Sequence, residues 1–201
     1  MTYTVVPDKA SGDIFTEQMW DTYVRDNANK GVIRPIADTT LGSAAQITFS
    51  SIAADWLHLL LVVYSRGQAT VTSADLRIRF NGDTGTNYDI QQLQGVGAVT
   101  TAAEAVAATS GLGGVIPGST AVANSFGGCF ILIPDYANST FHKTVLSWSA
   151  AKWTNSAGNS AVRTNVFFWR NVAAINSINL HASTDPNLSI GTRATLYGVA
   201  G

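Results

Sequence analysis

Three histidines, one cysteine and 13 acidic residues carry whatever proton-transfer, nucleophilic or metal chemistry this chain has. His58, His142 and His181 stand apart, none with a carboxylate or a second histidine at metal-ligand spacing. The single cysteine, Cys129, opens the apolar run Cys129-Phe130-Ile131-Leu132-Ile133. It reads as a small buried hydrophobe, with no intramolecular disulfide and no thiol–imidazole pair. No Gly-x-Ser-x-Gly elbow occurs, and the glycine-rich tract 111–118 lacks the Lys-Ser/Thr of a phosphate-binding loop. Asn81, Asp83, Asn87 and Asp89 put oxygen ligands at alternating positions, faintly like a calcium loop. The closing bidentate glutamate is missing, because Gln92 stands there, and a polar hairpin turn accounts for the same residues. Carboxylate pairs for glycoside hydrolysis assemble only in space, and the acids here sit mostly beside turns. Trp153, in Lys152-Trp153-Thr154-Asn155, is the candidate for stacking on a sugar; its plainer reading is a loop anchor. The expectation is a non-enzymatic protein without catalytic residues, metal or cofactor.

The elements that would position these residues read mainly as strands. In Asp75-Leu76-Arg77-Ile78-Arg79-Phe80, Leu76, Ile78 and Phe80 alternate with charged residues, a strand with one buried and one wet face. Asn81-Gly82-Asp83-Thr84-Gly85 then supplies turn chemistry. Further strands are expected at 45–50, 56–64, 126–134, 143–149, 165–170, 175–181 and 193–199. The strand at 56–64 is apolar enough to be buried on both faces, and 126–134 reads as a buried run. Residues 33–37 read as an extended linker around Pro35. Residues 100–108 read as a short helix or a surface excursion, and 111–118 as loop.

One stretch has helical periodicity. Thr16 is an N-cap candidate, Met19, Trp20, Tyr23 and Val24 form one apolar stripe, and Asn29-Lys30-Gly31 closes the segment. A helix this short is marginal alone. It either packs on its own domain or docks on a neighbouring subunit or host structure. The division expected is an arm and anchoring helix over 1–31 and a β-domain over 32–201.

Charged residues make up 12% of the 201-residue chain, with a net charge of −1, against roughly a quarter in typical soluble domains. Surfaces so poor in charge gain little mutual repulsion and fit burial against copies of the same chain. No basic run marks nucleic-acid binding. No apolar run is long enough to insert in a membrane as a helix, and no amino-terminal signal is visible. Synthesis in a cytosol is expected.

Two stretches carry a resemblance. Residues 12–27, ending in Arg25-Asp26-Asn27, resemble the short helix near the start of many tailed-bacteriophage virion proteins. Residues 76–89, followed by Pro134-Asp135-Tyr136-Ala137-Asn138, Ile175-Asn176-Ser177-Ile178 and Leu196-Tyr197-Gly198, are similar to phage tail, fibre or head-associated components. The resemblance implies a virion structural protein, made in the host bacterial cytoplasm and displayed on the particle exterior. It would be a head decoration, head fibre, tail fibre or receptor-binding component, with a homotrimer as the analogy for its oligomeric state. Capsid or tail proteins, and a host surface glycan, would be its partners. Met19, Trp20, Tyr23 and Val24 would be its assembly contacts. The fold expected is an antiparallel β-sandwich of jelly-roll type. The alternative is a carbohydrate-binding module or glycan-active protein on the same kind of sandwich.

Overall fold

A computed structural model describes residues 33–155 and 159–200. The arm, the helix expected over 16–29, and Met19, Trp20, Tyr23 and Val24 lie outside the described residues.

The described residues form twelve strands and no helix. In chain order they are β1 (Ile33–Thr40), β2 (Ile47–Phe49), β3 (His58–Ser65), β4 (Ser73–Phe80), β5 (Tyr88–Val96) and β6 (Val99–Ala108). Then come β7 (Gly111–Pro117), β8 (Gly127–Ile133), β9 (Lys143–Lys152), β10 (Ser160–Trp169), β11 (Ile178–Ala182) and β12 (Arg193–Val199). All pairings are antiparallel. They build an eight-stranded sheet, β1-β12-β3-β8-β9-β10-β5-β6, and a four-stranded sheet, β2-β11-β4-β7.

The two sheets share one core in a sandwich-like arrangement. Leu76, Ile78 and Phe80 of β4, all fully buried, meet Leu61, Ile131, Val145 and Phe167 of the large sheet. Phe80 sits at its aromatic centre, with ring centroids 5.9 Å from Phe167 and 5.5 Å from Trp169. The expected alternation of β4 is therefore met, and so is the turn after it. Asn81 and Gly82 take φ of 52° and 69°, and the Asp83 N–H donates to the Phe80 carbonyl at 2.9 Å. Two successive left-handed residues define the tight turn that Asn-Gly favours. Here it carries the chain from the small sheet to the large one. Cys129 is buried in the core, as its sequence context predicted.

Four expectations are corrected. Residues 33–37 are not a linker but the start of edge strand β1, whose backbone pairs with β12. Residues 99–108 are neither helix nor excursion but β6, paired with β5. The tract 111–118, expected as loop, contains β7, every residue of which is buried. Finally, β3 is not buried on both faces, and β8 is not a wholly buried run. Each buries one face only, leaving Tyr64 and Phe130 about half exposed.

The burial of β7 explains an oddity of β9. The inward residues of β9 include Ser147 and Ser149, while Trp148 between them points out. Strand β7 is the edge of the small sheet, and its unpaired backbone groups are buried against the large sheet. The Ser149 hydroxyl accepts from the Val115 N–H at 3.1 Å, and the Ser147 hydroxyl donates to the Leu112 carbonyl at 3.2 Å. Buried backbone groups need partners, and these serines supply them.

Candidate functional site

Most of the polar residues singled out by the sequence are engaged in holding the fold. Asp83 accepts from the Gly85 N–H at 2.8 Å, Asn87 Nδ2 at 2.9 Å and Trp169 Nε1 at 2.7 Å. Burial alone would raise its carboxyl, but these hydrogen bonds outweigh burial and hold it below the usual carboxylate range. Asn81 donates to the Ala174 carbonyl at 2.8 Å and accepts from the Asn176 and Ser177 N–H groups at 2.9 and 3.1 Å. Asp89 accepts from the Ala107 N–H at 2.9 Å and pairs with Arg170 at 3.1 Å. The oxygens of Asn81, Asp83 and Asp89 thus face separate protein donors, as a polar turn requires, rather than converging on one point.

Two cations are likewise structural. The Arg66 guanidinium donates to the carbonyls of Ser119, Ala121, Val122 and Ser125 at 2.8 to 3.2 Å, clamping the connection after β7. Lys143, almost wholly buried, donates through Nζ to the carbonyls of Asn138, Phe141 and Val172. Burial pushes its ammonium below the usual lysine range. His58, the first residue of β3, accepts from the Asp135 N–H at 3.0 Å through Nδ1, a contact that pins the turn after β8. Trp153 is not the exposed aromatic expected. It is 9% exposed, its Nε1 donates to Asn159 Oδ1 at 3.1 Å, and it packs with Val115, Ala121, Ala151 and Ala161 in a small second core. Its ring anchors a loop and offers no open face for a sugar.

What remains is a surface. Along the middle of the four central strands of the large sheet the outward residues are apolar or uncharged; Lys152, at the end of β9, is the charged exception. Strand pairing places Leu60 beside Leu132, Val62 beside Phe130, Phe130 beside Trp148, and Leu132 beside Leu146. It continues with Leu146 beside Val166, Ala150 beside Val162, and Thr164 beside Leu93. Leu93, Phe130, Trp148 and Val162 are 55%, 52%, 46% and 65% exposed. Two shallow apolar depressions lie on this face. One, of about 620 Å³, runs from Phe130 and Trp148 to Val162 and Leu93. The other, of about 500 Å³, lies between Ile33, Leu60, Phe130 and Trp148. Sequence reasoning missed this surface by assigning the outward apolar residues of β3 and β8 to a core. The cue was present: both sides of these strands are apolar, but only one can face the other sheet.

Comparison of the chain with protein-family models, with curated proteins and with solved structures finds no match.

Proposed function

We propose that this protein is a non-enzymatic structural subunit of a tailed-bacteriophage particle, displayed on its exterior, and that the outer face of the large sheet packs against a second copy of the chain. The observation that carries the reading is the uncharged apolar face spanning β3, β8, β9 and β10. Phe130, Trp148 and Val162, with Leu93 of the neighbouring β5, present roughly 400 Å² of contiguous apolar surface, the size of patch that on a monomer is often functional. With the half-buried Leu60, Leu132, Leu146 and Val166 at its centre, the face approaches the ~800 Å² that each partner contributes to a standard stable interface. A face without charge is complementary to another face without charge, and this chain carries one. A patch that packs on its own copy makes an isologous, two-fold contact, so the face itself favours a dimeric contact, and the trimer proposed rests on the virion resemblance alone.

The strand order supports a jelly-roll reading of the sandwich. Strands β2-β11-β4-β7 form one four-stranded layer. Strands β3-β8 and β5-β6 form the other, with the β9–β10 hairpin between them and β12-β1 added at the edge. The resemblance of residues 12–27 and 76–89 to virion proteins supports the location. In this reading Met19, Trp20, Tyr23 and Val24 bury apolar area against a neighbouring particle protein, at about 1.5–3 kcal/mol for each large side chain fully covered.

Immunogold microscopy on intact phage, with antibody against residues 33–200, tests the location. Label on the head assigns a decoration or head-fibre role, and label on the tail tip a receptor-binding role. Label on neither, with protein found only in the lysate, overturns the virion reading. Sedimentation of the purified chain tests the face. Phe130→Ser with Trp148→Glu should give a folded monomer where the parent forms an oligomer. An unchanged oligomer overturns that assignment.

A further inference from the structure

A cleft on the other sheet has the opposite chemistry. It measures about 540 Å³ and lies over β4 and β11, walled by residues 107–110 on one side and 182–186 on the other. Arg77, Arg79 and His181 line it together with Thr109, Ser110 and Ser183. Arg77 and Arg79 alternate along one face of β4, and His181 is the direct cross-strand partner of Arg77. Such neighbours lie about 5–7 Å apart.

The charges in this cleft do not cancel. Asp75 accepts from Arg77 at 2.6 Å and also from Arg163 at 2.7 Å, so one carboxylate faces two guanidinium groups. Arg79 donates through Nε to the Thr109 carbonyl at 3.1 Å and has no carboxylate within ion-pair distance among the described residues. Its two terminal nitrogens are left as a fork of N–H donors.

The histidine has a defined tautomer. Asn179 Nδ2 donates to Gln46 Oε1 at 3.1 Å and Thr48 Oγ1 at 2.9 Å, which turns Asn179 Oδ1 toward His181 Nδ1 at 3.1 Å. An amide oxygen only accepts, so Nδ1 carries the proton and Nε2 of the neutral ring is a bare acceptor. His181 is 5% exposed as a residue, and its Nε2, without a protein partner among the described residues, keeps contact with solvent. Burial, reinforced by Arg79 and Arg77, keeps the ring neutral. The site therefore offers guanidinium donors for an oxyanion and, beside them, one solvent-accessible imidazole acceptor that a ligand hydroxyl can reach.

We propose that this cleft binds a carboxylate with a neighbouring hydroxyl group, as an acidic sugar carries: the carboxylate sits on the Arg79 fork and a ring hydroxyl donates to His181 Nε2. A free hydroxy acid presents the same pair of groups, and a uronic-acid unit of a polysaccharide presents it within a chain. The site lies on the sheet opposite the apolar face, so its failure leaves the assembly reading untouched.

The test is an NMR titration of the full chain, following the His181 imidazole nitrogens, with D-galacturonate, D-galactose and sodium sulfate as probes. Galacturonate should move the Nε2 signal saturably, and galactose should not. Arg79→Gln should weaken galacturonate binding at least tenfold with an unchanged near-UV spectrum, whereas Arg193→Gln, outside the cleft, should leave it alone. A tri-galacturonate that binds more tightly than the monomer assigns the site to a polysaccharide; equal binding assigns it to the free acid. Sulfate binding as tightly as galacturonate overturns the hydroxyl requirement. No displacement by galacturonate, or undiminished binding in Arg79→Gln, overturns the site.

Discussion

Arg163 on β10 of the large sheet donates to Asp75 on β4 of the small sheet at 2.7 Å, and its other nitrogens are held by Gln94. The Arg163 side chain is only 10% exposed and that of Asp75 is 26% exposed, so this contact ties the sheets together at a partly shielded site. Removing one partner of such a pair leaves a desolvated charge, which costs more than the pair itself contributes. Asp75→Ala should lower stability by about 2–4 kcal/mol, read from urea denaturation. Adding Arg163→Met should recover part of that loss. A double variant less stable than Asp75→Ala would show that Arg163 stabilises the fold independently of its ion pair.

The parts of this fold legible in the sequence are those where hydrophobic alternation and burial coincide. In β4, Leu76, Ile78 and Phe80 alternate with charges, and the charges mark the outer face. The large sheet breaks that rule. On β9 the hydroxyls of Ser147 and Ser149 go in and Trp148 goes out, because the inner face must satisfy the buried edge of β7 while the outer face is apolar. A pattern read as polar outside and apolar inside assigns such a strand the wrong way round. Strand β7 was illegible for another reason: Gly111, Gly113 and Gly114 signal loop by propensity, but they are there because side chains would not fit. The cleft at Arg79 was hidden because its residues come from β4, β11, the end of β6 and two connections, far apart in the chain.

The glycines of β7 make the packing argument testable. A Cβ on Gly111 would lie 2.4 Å from Cε2 of Phe167, a fully buried ring. Gly111→Ala should therefore cost about 2–3 kcal/mol, in the range of overpacked cores. Phe167→Leu removes the obstructing ring, so its combination with Gly111→Ala should be less destabilised than the sum of the singles. Strict additivity in urea melts would mean that the two positions do not touch.

Cys129 is 1% exposed, and burial pushes its thiol up to about 12. A protonated thiol inside a core is unreactive. Ellman's reagent should fail to modify the native protein near pH 8 and react promptly in denaturant. The native rate should rise with urea in step with global unfolding. Fast labelling without denaturant would mean that β8 separates from the opposing sheet locally.

His181 gives the fold a pH dependence whose direction follows from its surroundings. Burial, then Arg79 and Arg77 across the pair of strands, bring its folded pKa down to about 4 from an ordinary 6.5. The other charged group in the adjoining connection, Asp185, accepts from the Asn187 N–H at 2.9 Å. A base with a depressed folded pKa binds its proton more readily in the unfolded chain. Its contribution to stability is complete above pH 6.5 and is lost as pH falls toward about 4. Asp38 and Asp83, both held below the usual carboxylate range, lose their contributions only at lower pH. Urea midpoints measured from pH 7.5 to pH 4.5 should decline, and His181→Gln should flatten that decline while keeping the cleft folded. A slope unchanged by the substitution would assign the acid sensitivity to carboxylates and remove the basis for a neutral, hydroxyl-accepting His181 at the cleft.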